Sequence, residues 1–284
     1  WALPRPDAVD PRAWRLLAIF VATVAGIIVK PLPMGAMAIV GIAAALATRT
    51  LTLTEALSGF GNGTVWLVVT AFFIAAGFIK TGLGTRIAYV LIALFGRSTL
   101  GLGYSLVATD LILAPSIPSN TARAGGVIFP ILQSLAKTTR EADPTNGHHT
   151  CAFLTLAAYN GTVITSAMFL TAMVANPLSV QLASDQGISI TWGMWALAAV
   201  VPGVVSLIVI PLVIYRLLPR SGVETPHAPA AAKKALATMG PVKRSERLMA
   251  TISIVLLAAW IAGPAIGLET TAAALMAIAA LLLT

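Results

Sequence analysis

An all-α, polytopic membrane fold is what this sequence predicts, on three observations. Of 284 residues, 58% are apolar and only 10% charged, with a mean hydropathy of +0.90. Soluble domains run at about 45–50% apolar and about 25% charged. Apolar runs of roughly bilayer-crossing length, about 20 residues at 1.5 Å rise each, recur along the chain. The net charge of +8 reads as Lys and Arg placed in cytoplasmic loops, where they set orientation, and not as a nucleic-acid footprint. These numbers exclude an ordinary soluble domain and a disordered chain. The one cysteine, Cys151, excludes an intrachain disulfide and with it a secreted disulfide scaffold.

Residues 14–29 form the first predicted span, ended by Lys30-Pro31. Residues 33–47, rich in the small residues that suit close packing in lipid, form the second, closed by Arg49. Residues 50–62 are more polar, hold Glu55 and read as a short interfacial helix and loop. Residues 64–79 are the third span, ended by Lys80-Thr81-Gly82. Residues 87–95 are too short to cross and read as a surface helix or half of a broken span. Residues 100–114 read as a span carrying Asp110, followed by a polar break at 115–126 and another short run at 127–136. Residues 151–174 are long enough but interrupted by Asn160-Gly161-Thr162 and Thr165-Ser166, and end at Asn176-Pro177. A long span at 192–218 contains Pro202 and Pro211, and runs at 248–261 and 271–283 finish the chain. The expectation is roughly eight crossings and one re-entrant hairpin. A start at Trp1 and an apolar run reaching Thr284 lead us to expect a piece of a longer protein. The first run lacks a convincing cleavage site and is expected to be a retained helix.

Charge orients the chain. Residues 219–247 hold Arg220, Lys233, Lys234, Lys243, Arg244 and Arg247 against Glu224 and Glu246, which assigns this loop to the cytoplasm. Its Pro/Ala-rich middle, 225–232, reads as a flexible linker. Arg5, Arg12 and Arg15 favour an inside start as well. Simple alternation then puts Lys80 and Arg86 on the outer side, a conflict that a broken or interfacial segment near 84–97 absorbs.

The chemistry concentrates in the two interrupted stretches, 115–126 and 160–176. Non-helical backbone survives at membrane depth only where protein or water satisfies it. Broken helices aim half-helix N-termini at anions while unwound carbonyls hold cations. Ser119, Asn120 and Thr121 offer hydroxyl and amide donors to a carboxylate beside free backbone N–H groups, and their oxygens can ligate Na⁺. The competing readings are a polar extramembrane loop, or helix capping at a hairpin tip. Thr165, Ser166 and Asn176 are candidate cation or substrate contacts, with Asn176 equally suited to capping a half-helix before Pro177. Asp110 is an ionisable group in an apolar run, a functional candidate by default. It can also pair with Arg123, which either attracts the anion or fixes the hairpin. His148-His149-Thr150-Cys151 lacks the further ligands of a metal site, and residues 143–147 read as a solvated turn. Asn62-Gly63-Thr64 and Asn160-Gly161-Thr162 match the glycosylation triplet, and neither is expected to be used. Trp14, Trp66 and Trp192 sit at span ends and read as interfacial anchors. No nucleophile–base pair, phosphate loop or paired carboxylates support an enzyme.

The stretch Pro118-Ser119-Asn120-Thr121-Ala122-Arg123-Ala124-Gly125-Gly126-Val127-Ile128-Phe129-Pro130 closely resembles the divalent anion:sodium symporter (DASS) family. It looks most like the bacterial citrate/succinate and plastid 2-oxoglutarate/malate branch. Residues 59–67, 78–88 and 165–178 are similar to further stretches of that branch, in order, so the likeness covers nearly the whole chain.

This resemblance implies an inverted-repeat, elevator-type transporter, usually a homodimer, with a fixed scaffold and a moving transport domain. By analogy, residues 1–114 are scaffold, 115–218 the first-repeat transport region, 219–247 the cytoplasmic linker and 248–284 the start of an incomplete second repeat. The family grips a dicarboxylate between two Ser-Asn-Thr motifs, of which Ser119-Asn120-Thr121 is the first and the second is not in this chain. The expected function is secondary transport of malate, succinate, 2-oxoglutarate or citrate, by sodium symport or by exchange, with sulfate transport as the alternative. Na⁺ as coupling ion is implied near Ser119, Asn120 and Ser166, with no other cofactor. The expected partners are the carboxylate anion, the lipid bilayer and a second copy of the chain, and the expected location is a bacterial plasma (inner) membrane.

Overall fold

The structure, a computed structural model, describes residues 4–117, 119–142, 147–218, 225 and 227–284. Trp1, Pro118, the turn residues Asp143, Pro144, Thr145 and Asn146, and the loop residues Arg220 and Glu224 lie outside the described residues. Every regular element among those described is helical. The chain divides into two compact units, Trp1–Val65 and Trp66–Thr284.

The first unit holds α1 (Pro11–Val29), α2 (Met34–Ala47) and α3 (Leu53–Leu57). Asp10 starts α1 by accepting from the Arg12 and Ala13 amides at 2.7 and 3.2 Å, with Pro11 at the first helical position, where its missing N–H costs nothing. Lys30 ends it in the left-handed region at φ 57. Thr52 and Glu55 form a capping box at α3. Glu55 Oε2 accepts from the Thr52 amide and hydroxyl, each at 2.8 Å, and from the Arg12 guanidinium. These donors, the Thr52 amide first, then its hydroxyl, then Arg12, hold the exposed carboxyl down to about 2 from an ordinary 4.5. Because the folded value is the lower one, this support for α3 is complete above pH 4.5 and is lost as pH falls through about 2. A carbon-13 NMR titration is expected to find the low midpoint, and Thr52→Val should raise it further than Arg12→Gln. A midpoint near the ordinary value in the unaltered chain would contradict the capping box.

The second unit follows through α4 (Gly63–Thr81), α5 (Leu83–Phe95) and α6 (Thr99–Leu113). Gly82, at φ 79, makes the break between α4 and α5 that a residue with a Cβ resists. A buried turn then leads to α7 (Asn120–Arg123), a π turn (Ala124–Ile128) and α8 (Phe129–Ala142), which continue one another. After them come α9 (Gly147–Met168), α10 (Ala175–Ser184), α11 (Trp192–Leu217), α12 (His227–Met239), α13 (Arg244–Ile266) and α14 (Thr270–Leu282). α9 is the hub, packed on α6, α8 and α11. Glycines let it close on its neighbours: a Cβ on Gly103 would stand 2.7 Å from the Phe153 ring.

Four expectations need correction. Among the described residues five helices, α1, α4, α9, α11 and α13, are long and apolar enough to cross a membrane, not eight. Helices α2, α6 and α14, of 14, 15 and 13 residues, measure about 20–22 Å and fall short of a roughly 30 Å hydrocarbon core on their own. α6 is an arm of the hairpin. The Pro/Ala-rich stretch is not a flexible linker: His227–Met239 is helical, with Ala228, Pro229 and Ala232 buried and the helix packed on α5. Alanine is the best helix former, and a proline in the first turn is tolerated. Thr225 ties this segment down through its amide on Arg97 O at 2.9 Å and its hydroxyl on Gly96 O at 2.8 Å. Arg86 does not lie opposite the basic loop but on it, bonding Glu246 at 2.8 Å and Gly240 O at 3.0 Å. Lys80 lines one cavity with Arg244. Alternation counts crossings from one end, whereas these levels are set by contacts far apart in sequence. Lastly, Trp192 is not an interfacial anchor: it is 5% exposed and stacked on Phe169.

Candidate functional site

The hairpin tip and the break after α9 come together in one buried knot. Residues 114–117 are unwound yet buried, with Ala114 and Ile117 at 0% and 1% exposure. Residues 169–174 separate α9 from α10. Unwound backbone leaves carbonyls that need donors away from water, and side chains supply them. Arg123 is the principal donor. It is wholly buried, with Nη1 on Ile117 O at 2.6 Å and on Ala172 O at 2.8 Å, Nη2 on Ser166 Oγ at 2.8 Å and Nε on Asp110 Oδ1 at 3.1 Å. One guanidinium thus bridges both breaks, and its planar fork of five N–H groups suits this better than a lysine ammonium would.

The other partners complete the accounting. Asp110 Oδ2 accepts from the Thr165 hydroxyl. Thr171 donates to Pro115 O at 2.9 Å, joining the two breaks a second time, and accepts from the Trp192 indole at 3.1 Å. Asn176 Nδ2 donates to Ser166 O at 2.8 Å and Phe169 O at 2.9 Å. Among the described residues no buried side-chain nitrogen or oxygen is left without a partner. Of the residues singled out in the sequence, Asp110, Arg123, Thr165, Ser166 and Asn176 all fall in this knot. Thr171 and Trp192 belong to it too and were missed. For Thr171 a hydroxyl inside an apolar run is the one sequence signal, and Trp192 carries none beyond its place at a span end.

Ser119, Asn120 and Thr121 sit on the other side of the tip, at the start of α7. Ser119 Oγ caps the helix by accepting from the Ala122 amide at 3.2 Å. Asn120 Oδ1 accepts from the Thr121 amide at 2.8 Å. Asn120 is half-buried and Thr121 exposed, and both line a cavity of about 460 Å³ whose other wall is α9, including Thr155, Tyr159 and Thr162. That volume is in the range of small-molecule sites. The π turn directly after α7 is a feature that recurs at functional sites. Ser166 Oγ, one of the candidate Na⁺ ligands, faces the Arg123 guanidinium at 2.8 Å and donates to Thr162 O at 2.6 Å, so a cation there would meet a positive charge at contact distance. The His148 and His149 rings lie tilted against each other by 39°, with centroids 4.1 Å apart.

Comparison with known proteins adds four likenesses. Residues 1–284 match the family described as the sodium:sulfate symporter transmembrane region. The chain is 54% identical over 287 residues to a Bacillus subtilis protein named "Putative malate transporter YflS", covering 100% of this chain and 60% of that one. It is 47% identical to "Dicarboxylate transporter 1, chloroplastic" of Arabidopsis thaliana, covering 100% of this chain and 51% of the relative, and 38% identical to "Inner membrane protein YbhI" of Escherichia coli, covering 99% and 60%. The chain therefore spans about half to three-fifths of the length of these curated relatives.

Proposed function

The chain belongs to the sodium:sulfate symporter family, and on that premise we propose that the protein carries small di- or tricarboxylates, such as malate, succinate, 2-oxoglutarate or citrate, across the membrane. The names of relatives, a malate transporter and a dicarboxylate transporter, support carboxylates over sulfate and a carrier over an enzyme. The observation that carries the reading is the placement of Asn120 and Thr121 on a cavity of about 460 Å³, at the start of the helix whose Arg123 ties the two unwound segments together. Ser119 shapes the helix start, the Asn120 and Thr121 side chains donate to one carboxylate, and the N-terminal dipole of the helix favours its charge. Few fixed cations suit a carrier, which must release its cargo. A coupling Na⁺ would sit on the Ser119–Asn120 side, away from Arg123.

For an elevator movement in a homodimer, we draw the start of the moving region at α6. Its Asp110 is locked to Arg123 and Thr165, and a boundary at residue 115 would cut through that knot. The reading is tested by uptake of labelled malate into proteoliposomes holding the full-length protein. Saturable uptake, competed by succinate and driven by an inward Na⁺ gradient or by internal dicarboxylate, is expected. Uptake no greater than in protein-free vesicles under both conditions would end it.

A further inference from the structure

A second cavity, of about 590 Å³, lies between α8 and α9 on the side of the base of the hairpin. It shares Phe129, Leu132 and Thr155 with the cavity at Asn120 and Thr121, so the two are stretches of one groove. The α8 wall is regular: Thr121, Gly125, Phe129, Gln133, Lys137 and Glu141 follow one another at four-residue spacing, which keeps them on one helix face. From Thr121 to Arg140 the groove runs about 28 Å at 1.5 Å per residue. It ends at the level of the basic residues. Gly147 packs against Thr139 and Arg140 at the start of α9, and Phe153 one turn and a half further on meets Tyr215, next to Arg216 at the end of α11. The positive-inside rule assigns this level to the cytoplasm. At the mouth stand Lys137, Arg140 and Glu141, all exposed and none in an ion pair among the described residues. Gln133 and Thr155 give polar footing further in.

We infer that this groove is the cytoplasmic access route for the carboxylate dianion, with Lys137 and Arg140 capturing it at the mouth and Glu141 moderating their attraction. The inference rests on the carrier reading above. A mouth of net charge +1 (Lys137 and Arg140 against Glu141) beside low-dielectric walls concentrates anions from solution. The effect is screened by salt over a Debye length of about 10 Å at 0.1 M. Lys137 and Arg140 act on arrival, and Asn120 and Thr121 on holding.

The experiment uses the full-length protein in vesicles that present this face outward, with labelled malate as probe. Lys137→Gln/Arg140→Gln is expected to raise KM about tenfold at low ionic strength, to change the maximal rate far less, and to converge with the unaltered protein at high salt. Glu141→Gln should lower KM, the opposite sign, which loss of structure alone does not produce. The charge-conserving Lys137→Arg/Arg140→Lys should restore the KM and salt dependence that neutralisation loses, and a KM as high as in the neutralised variant overturns the route. Intact transport with unchanged KM and unchanged salt dependence in the neutralised variant overturns the route. An unaltered protein that moves no carboxylate counts instead against the carrier reading. A second measurement covers variants that fail to insert. A cysteine from Gln133→Cys, in a full-length background with Cys151 and every other cysteine changed to Ser, should react with a membrane-impermeant maleimide applied from this face, and malate should slow that reaction. Reaction at the same rate with and without malate overturns the route independently.

Discussion

Arg123→Met is expected to leave the chain unable to hold its native fold, with the loss read as a collapse of thermal stability in detergent. The methionine fills part of the space but strands the Asp110 carboxylate, which is 1% exposed and among the described residues has only the Thr165 hydroxyl besides Arg123. Removing one partner of a buried pair costs about 3–5 kcal/mol. The carbonyls of Ile117 and Ala172 lose their guanidinium donors in the same step, and a buried group left unpaired costs a further 1–3 kcal/mol or so. That total rivals the whole stability of a typical domain, about 5–15 kcal/mol. Arg123→Lys should fall between, because one ammonium cannot reach Asp110, Ser166 and two carbonyls together. Adding Asp110→Asn to Arg123→Met should recover part of the loss, since the stranded charge is gone, and the size of the recovery measures the coupling. A melting curve for Arg123→Met that overlies the unaltered protein would show that the knot contributes nothing.

Asn120→Ala should do the reverse, sparing the fold and removing transport. Its side chain is half-buried and among the described residues bonds only to its neighbour Thr121, through the amide at 2.8 Å and the hydroxyl at 3.4 Å. Truncation should therefore leave insertion and melting close to normal. If Asn120 donates to a carboxylate, the lost charge-assisted bond is worth about 1.5–3 kcal/mol, a roughly ten- to hundredfold weaker grip on the anion. The check is malate binding and uptake by the full-length variant beside its melting temperature. Normal uptake would remove Asn120 from the site, and the contrast with Arg123→Met separates holding the cargo from holding the fold.

Much of this was legible along the chain. Composition and run length alone point to a helical membrane protein, and α1, α4, α9, α11 and α13 coincide with apolar runs. The first break was readable because prolines and glycines punctuate it on both sides. The second break lies inside the expected stretch, 160–176, but that stretch begins too early, at Asn160, where polar side chains interrupt the apolar run. Those side chains do not break a helix, because they bond back to it: Asn160 to Leu156 O at 2.8 Å, Thr165 to Thr162 O at 3.1 Å and Ser166 to Thr162 O at 2.6 Å. The break falls at 169–174, in a run with no glycine or proline of its own. There Arg123 satisfies the Ala172 carbonyl and Asn176 that of Phe169, while Thr171 reaches across to Pro115 O in the first break.

What the linear order of residues determined is the solvent this chain lives in, the material of its elements, and the Ser119-Asn120-Thr121 turn that carries the family likeness. What only the tertiary structure decided is who partners whom. The Asp110–Arg123 pair joins residues 13 positions apart, the Arg123 bond to Ala172 spans 49 and the Arg86 bond to Glu246 spans 160. Periodicity and propensity act within a turn or two of helix. The satisfaction of a buried carbonyl is indifferent to sequence distance and depends on which donor the packing brings within reach.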